Sequence, residues 1–158
     1  MPIDSSTFRS VLGRFASGVT VVTTRDRDGR DHGMTASAFC SLSLEPPLVL
    51  VCVEKIAVIH DPLIATGRFA INILSSSQES IARRFAEPDE DRFDGLGYTR
   101  GATGAVLLEG ILAHLECSLA SCHDGGDHSI IVGSVIEAAA DSGRPLLYYR
   151  GGYAQLER

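Results

Sequence analysis

Residues 33–53 read GMTASAFCSLSLEPPLVLVCV, and this stretch decides the fold class. Its middle, SAFCSLSL (37–44), alternates large apolar with small polar side chains, the period of a strand with one buried face. Pro46 and Pro47 cannot donate to a ladder and stop it. LVLVCV (48–53) then runs apolar without a break, as a fully buried strand does. Upstream, VTVVTTR (19–25) is β-branched almost throughout, and the polar loop DRDGRD (26–31) turns it back as a hairpin into Gly33, Met34 and Thr35. Downstream, RFAINIL (68–74) predicts another strand, and three more are expected at 106–122, 129–138 and 145–149. DGGD (124–127) and DSG (141–143) supply the turns between these last three.

Helices are few. Asp4 and Ser5 precede Phe8, Val11, Leu12 and Phe15, whose spacing predicts a capped amphipathic helix ending near Gly18. Residues 57–66 suit a short helix, and SSSQESIARRF (75–85) carries a capping-box pattern, with Ser76 three residues before Glu79. From 87 to 103 the chain is polar and Gly-rich, includes the acidic run EPDED, and predicts a long surface loop. Strands joined by short turns favour an antiparallel, mainly β barrel with peripheral helices over an alternating βα sheet.

Composition narrows the function classes. The chain has 158 residues, a formal charge of −6, and is 44% hydrophobic and 22% charged, which suits one domain spanning 1–158 with a core of its own. Net acidity argues against nucleic acid or an anionic membrane as partner, and the absence of Trp argues against a base-stacking platform. MPIDSSTFRS shows no basic and apolar signal pattern, and no apolar run approaches a membrane span, so a cytoplasmic location is expected. Cys40, Cys52, Cys117 and Cys122 lack the paired knuckles of a zinc site; they read as structural thiols, and no metal is expected. G-x-G-x-x-G, P-loop, H-E-x-x-H and G-x-S-x-G patterns are all missing.

The remaining candidates cluster in three places. Small side chains and hydroxyls dominate 33–43; they would let a flat ligand reach the backbone, with Thr35, Ser37, Ser41 or Ser43 bonding a phosphate, but they equally suit a tight strand crossing. Lys55 follows the buried strand and Arg83 and Arg84 lie in the predicted helix, as phosphate partners or as solvated charges. His128, just after a tight turn, is suited to proton work near neutral pH or to a structural role. Tyr148, Tyr149, Arg150 and Tyr153 could line a ligand cleft, a subunit interface or a plugged barrel end.

Taken in order, FRSVLGRFASGVTVVTT, GMTASAFCSLSLEPPLVLVCV, FAINIL, QESIARRFA, RFDG, LECSLASCHDGGDHSIIVGSV and PLLYYRGGY resemble the flavin reductase-like, FMN-binding split-barrel family over about residues 8 to 153. The resemblance implies an antiparallel Greek-key split β-barrel, a homodimer, and NAD(P)H-dependent reduction of FMN or FAD, commonly for a partner monooxygenase. It also implies roles by position. Thr35, Ala36, Ser37, Ala38, Phe39, Ser41 and Leu42 would hold the isoalloxazine and ribityl chain, and Cys52, Val53 and Lys55 would line the same groove. Arg84 would approach the flavin phosphate, and His128 would face the nicotinamide with Tyr149 and Arg150. One departure stands out: many relatives carry Ser or Thr soon after the cation at position 55, where this chain reads KIAVIH (55–60).

No side chain here carries a hydride, so the redox step would belong to bound flavin. The protein would supply alignment, worth roughly 7–11 kcal/mol of barrier in favourable cases. Two other expectations compete: a flavoprotein that keeps its flavin and reduces a metal complex, corrinoid or quinone, and a flavin- or haem-binding module without turnover.

Overall fold

A computed structural model describes residues 2–89 and 91–157. Glu90, inside the acidic EPDED run, lies outside the described residues. The elements in chain order are α1 (Ser5–Leu12), β1 (Ser17–Gly18), β2 (Thr20–Arg25), β3 (Asp31–Ala36), β4 (Phe39–Ser43), β5 (Leu48–Glu54), α2 (His60–Thr66) and β6 (Arg68–Ile73). They continue with α3 (Glu79–Ala86), β7 (Tyr98–Arg100), β8 (Val106–Leu108), β9 (Ala113–Gly125), β10 (His128–Ala140), β11 (Leu146–Tyr149) and β12 (Gly152–Gln155). No helix among the described residues is long and apolar enough to cross a membrane.

Seven strands form one antiparallel sheet in the order β3-β2-β6-β9-β10-β5-β4. Its two edge strands, β3 and β4, are consecutive in sequence and joined only by Ser37 and Ala38. A flat sheet of this width would hold its edges about 29 Å apart at the usual strand spacing. The connection from Ala36 to Phe39 can reach only about 11 Å. The sheet must therefore curl until its edges meet, which makes a barrel with a seam where no ladder joins β3 to β4. The order is a Greek key: the chain reaches the far edge with β4 and β5 before returning to lay β6 beside β2.

Burial follows from this curvature. Val22, Val51, Val53, Phe69, Ile71 and Ile131 fill the barrel, with Leu63 of α2 packed among them. Val19, Val21, Leu74, Ala82, Phe85 and Leu146 form a second core beneath α3. β2 is buried on both faces, since Val21 faces one core and Val22 the other, which accounts for its unbroken β-branched run. The short β7–β8 hairpin is pinned across β2 and β6 by a buried polar network. The Asn72 amide donates to Val21 O at 3.0 Å, its Oδ1 accepts from Leu108 N at 2.8 Å, and the Thr23 hydroxyl donates to Val106 O at 2.7 Å.

Local expectations are met at several points and corrected at others. Asp4 caps α1, accepting from the Thr7 amide at 2.9 Å. The helix stops at Gly13 rather than near Gly18, because Ser17 and Gly18 are drawn into pairing with Tyr148 and Leu147 of β11. Ser76 caps nothing. The residue before α3 is Gln78, whose side chain accepts from the Ser75 amide and donates to Glu109 O, both at 2.9 Å. The expected strand 106–122 is two strands, broken at Gly110 with φ +81. The expected loop 87–103 contains β7, held by the bidentate pairing of Arg100 with Asp31 at 2.7 Å.

Candidate functional site

The seam of the barrel is also where the cavities are. A cleft of about 490 Å³ runs along Gly33 to Ala38, with Cys52 and Glu54 of β5 opposite and His128 at one end. Segment 56–59, and then Phe85, Pro88 and Arg92, complete its walls. A second, shallower cavity of about 970 Å³ lies on the other side of Ser37 and Ala38. It is bounded by Phe39, Leu50 and Tyr148 on the barrel and by Phe8, Leu12 and Phe15 of the N-terminal region. Ser37, Ala38, Cys52 and His128 border both spaces, so the two-residue crossover is the wall between them.

Each expected residue can now be placed. Thr35, Ala36, Ser37 and Ala38 line the cleft, whereas Phe39 lines the second cavity. The Thr35 hydroxyl donates to Ala82 O at 2.7 Å, so it fixes α3 against β3. Ser41 and Leu42 border neither cavity, because β4 carries them away from the seam along its solvent-facing edge. Val53 is fully buried in the barrel core; alternate side chains of a strand face opposite ways, and Cys52 and Glu54 take the cleft side. Lys55 is paired with Asp124 at the tip of the β9–β10 hairpin and borders neither cavity.

The two arginines behave likewise. Arg84 donates to the carbonyls of Asp91 and Asp94, at 3.2 and 2.6 Å, and so ties down the acidic loop instead of facing the cleft. Arg150, at φ +52, borders a separate small cavity with Arg9 and Arg14 near α1. Tyr149 is turned outward, and its neighbour Tyr148 takes the cavity side, packed edge-on against Tyr153. The sequence had offered no sign of Arg92 or Phe85 as cleft residues, whereas segment 56–59 had stood out only as a departure from the relatives' pattern, and it lines the cleft.

Charge in the cleft is sparse. Among the described residues, Arg92 is the only lysine or arginine that lines it, beside the carboxylates Glu54 and Glu87. Arg92 donates to Phe85 O at 3.0 Å, and its guanidinium lies 5.7 Å over the Phe85 ring. Burial pulls its pKa below the usual arginine value, against an opposing pull from Asp89, yet a guanidinium stays charged at neutral pH. At the other end, His128 Nδ1 lies 2.7 Å from Asp127 Oδ1. The hydrogen bond and charge of His128 hold the Asp127 carboxyl below its usual range. A carboxylate can only accept, so Nδ1 carries the proton of this bond, and Nε2 is left free to face a ligand. Burial pushes the Cys52 thiol up, so it enters the cleft wall as a neutral group. All four cysteines are free, and burial lifts Cys117 to about 12.

A flat ligand with an anionic tail suits this arrangement. Backbone along an unpaired seam offers N–H and C=O groups at close range, small side chains leave room, and apolar Phe85, Ala57 and Ile59 flank it. One cation is available for a phosphate. These are the requirements of a flavin, and the residues present fit it.

The comparisons agree. Residues 12–157 match the family model described as flavin reductase like domain. The reductase subunit HsaB of a flavin-dependent monooxygenase from Mycobacterium tuberculosis is 43% identical over 98% of this chain and 84% of its own. An NADH-dependent flavin reductase of a Rhodococcus species is 45% identical over 94% of this chain and 85% of its own. The NADH:FAD oxidoreductase SgcE6 of Streptomyces globisporus, solved with NAD and FAD fragments, superposes with a TM-score of 0.92 at 42% identity, covering 97% of this chain and 93% of that one. With its split barrel and a cleft on the seam, this chain belongs to the flavin reductase-like domain family.

Proposed function

We propose that this chain is an NADH-dependent flavin reductase, reducing FMN or FAD and releasing the product to a flavin-dependent monooxygenase in the cytoplasm. The observation that carries this reading is the seam cleft, with the small-residue run Thr35 to Ala38 on one wall and His128 at its end. When bound, flavin supplies the two-electron acceptor chemistry that no side chain of the chain possesses. Thr35 to Ala38 hold the ring through their backbone, and Cys52 closes the opposite side. Of the cations the sequence suggested, Lys55 and Arg84 are engaged elsewhere, so the phosphate role falls to Arg92. Transfer of a hydride from a nicotinamide needs no base. The work of His128 is therefore to orient the nicotinamide, with its Nδ1 held by Asp127.

The functional unit is a homodimer. Phe8, Val11, Leu12 and Phe15 are between 50% and 82% exposed, and three of them border the second cavity. A second subunit over this apolar face would bury it and roof the space beside His128. The decisive assay follows loss of NADH absorbance at 340 nm with excess FMN or FAD, with NADPH run in parallel. Turnover well above the blank with free flavin is expected. A rate no faster than the blank, or flavin that stays stoichiometrically bound through desalting, would overturn the proposal.

A further inference from the structure

His60, the first residue of α2, lies outside the cleft and has no part in the function so far. Its Nδ1 is 2.8 Å from Asp61 Oδ1, and its Nε2 is 2.7 Å from Ser129 Oγ. Asp61 is a carboxylate and only accepts, so Nδ1 carries a proton toward it, and Nε2 shares a hydrogen bond with the Ser129 hydroxyl. The succession Ser-His-Asp matches a hydrolytic triad in chemistry. Its geometry does not serve that use: Ser129 is 5% exposed, stands opposite buried Val53, and borders neither large cavity, so no substrate could reach its oxygen.

What the contact does is join two walls. Segment 56–59 lines the cleft and runs straight into His60, while Ser129 directly follows His128. One hydrogen bond therefore links the wall at 56–59 to the strand end that presents His128. Backbone ladders fix the start of β10 itself, with His128 opposite Glu54 and Ser129 opposite Val53, while Lys55 pairs with Asp124 and its amide donates to Asp127 O at 3.0 Å. His60 is 11% exposed, so its bond to Ser129 meets little competition from solvent. Ile59 and Leu63 anchor the start of α2 by packing in the barrel core, but no side chain caps it, since Ile59 occupies the cap position and cannot bond the helix amides.

We propose that His60 is a positioning residue, holding the first turn of α2, and with it the wall at 56–59, against the start of β10 beside the nicotinamide-facing His128. This rests on the reading of His128 as the nicotinamide-facing residue. The reaction itself does not pass through the His60 imidazole. Its effect on flavin is smaller than on the nicotinamide, because the backbone of Thr35 to Ala38 that holds the ring lies in β3 and the β3–β4 crossover, which His60 does not touch.

The test uses the full chain and separates three quantities: KM for NADH, kcat, and flavin affinity by fluorescence titration. His60→Ala and Ser129→Ala should each raise KM for NADH about threefold to tenfold, the range expected for one buried hydrogen bond, with flavin affinity changed less than about twofold. His60→Gln, whose amide can still accept from Ser129, should return KM to within about twofold of the parent. The double variant should be no worse than either single one, because both remove the same contact. In a His128→Ala background, His60→Ala should add nothing. If His128→Ala raises KM while His60→Ala and Ser129→Ala do not, the positioning role is overturned and the His128 reading stands. If His128→Ala leaves KM unchanged, that reading fails and this one falls with it. Parallel loss of flavin affinity and melting temperature in the His60 variants, unrescued by Gln, would reduce His60 to a merely structural residue and also overturn the proposal.

Discussion

Replacing Gly33 with alanine would put one methyl group into the wall between the cleft and the second core. The new Cβ would stand 2.7 Å from Phe85 Cε1, 2.8 Å from Cδ1 and 3.1 Å from Phe93 Cζ. Resting carbon contacts are about 3.5–4.0 Å, so the Phe85 ring must retreat by about 1 Å. It has nowhere easy to go. Phe85 is 1% exposed, its ring meets Phe93 edge-on at 4.9 Å, and Arg92 lies over it. Overpacking of this kind costs about 1–3 kcal/mol. Losing a strand glycine returns roughly 0.5–1 kcal/mol of that through the unfolded chain. A net loss of about 0.5–2 kcal/mol is expected, and each kcal/mol lowers Tm by roughly 2–4 °C in a domain of this size. Urea unfolding measures it as a lower midpoint at unchanged slope. Because the displaced ring carries Arg92, KM for flavin or NADH should also rise. Gly18→Ala is the control, since a Cβ there meets nothing within 4 Å. If Gly33→Ala proved as stable as its parent with both KM values unchanged, the close packing of β3 against α3 would be refuted.

Three other outcomes follow from the same structure. Asn72→Ala leaves the Leu108 amide and Val21 carbonyl without their buried partner, at about 1–3 kcal/mol for each stranded group, and a lowered urea midpoint checks it. Arg92→Ala should weaken flavin or NADH binding with a diminished salt dependence of KM, whereas Arg84→Ala should act on stability through the acidic loop; the reverse pattern would return the phosphate role to Arg84. Glu116 is buried, which pushes its carboxyl up, but bonds from the Thr103 amide and hydroxyl and from the Ala102 amide outweigh burial and hold it below its ordinary value of 4.5. Its stabilising contribution is therefore complete above that value and lost as pH falls through the lower folded value. Glu116→Gln should lower stability at neutral pH and flatten the acid limb below about pH 4.5 in pH-dependent unfolding.

Much of this was legible in residues 19–53. The β-branched run at β2, the hairpin into β3, the stop at Pro46-Pro47 and the continuous apolar β5 are local properties, and local sterics and burial decide them. The small-residue run at 35–38 was legible as a possible ligand wall for the same reason. Cations were not. Lys55, Arg84 and Arg92 look alike along the chain, and only the fold of the acidic loop against α3 determines that Arg84 is spent on carbonyls while Arg92 enters the cleft. Segment 56–59 was visible only through its departure from the relatives' Ser or Thr, since Ile56 and Val58 remain exposed at the rim and follow no core period.

The sequence by itself determined the principal barrel strands, the net acidity, and the family to which the chain is similar. Period and composition act over a few residues and need no distant partner. Tertiary structure alone decided that Ser37 and Ala38 bridge the two edges of a curled sheet, and so that the cleft opens there. It also decided that Val53 faces the core while Cys52 faces the cleft, and that His60 reaches Ser129 across the barrel end. Those facts depend on which edges meet when the sheet closes. Closure is set by the packing of residues far apart in sequence, and no local pattern records it.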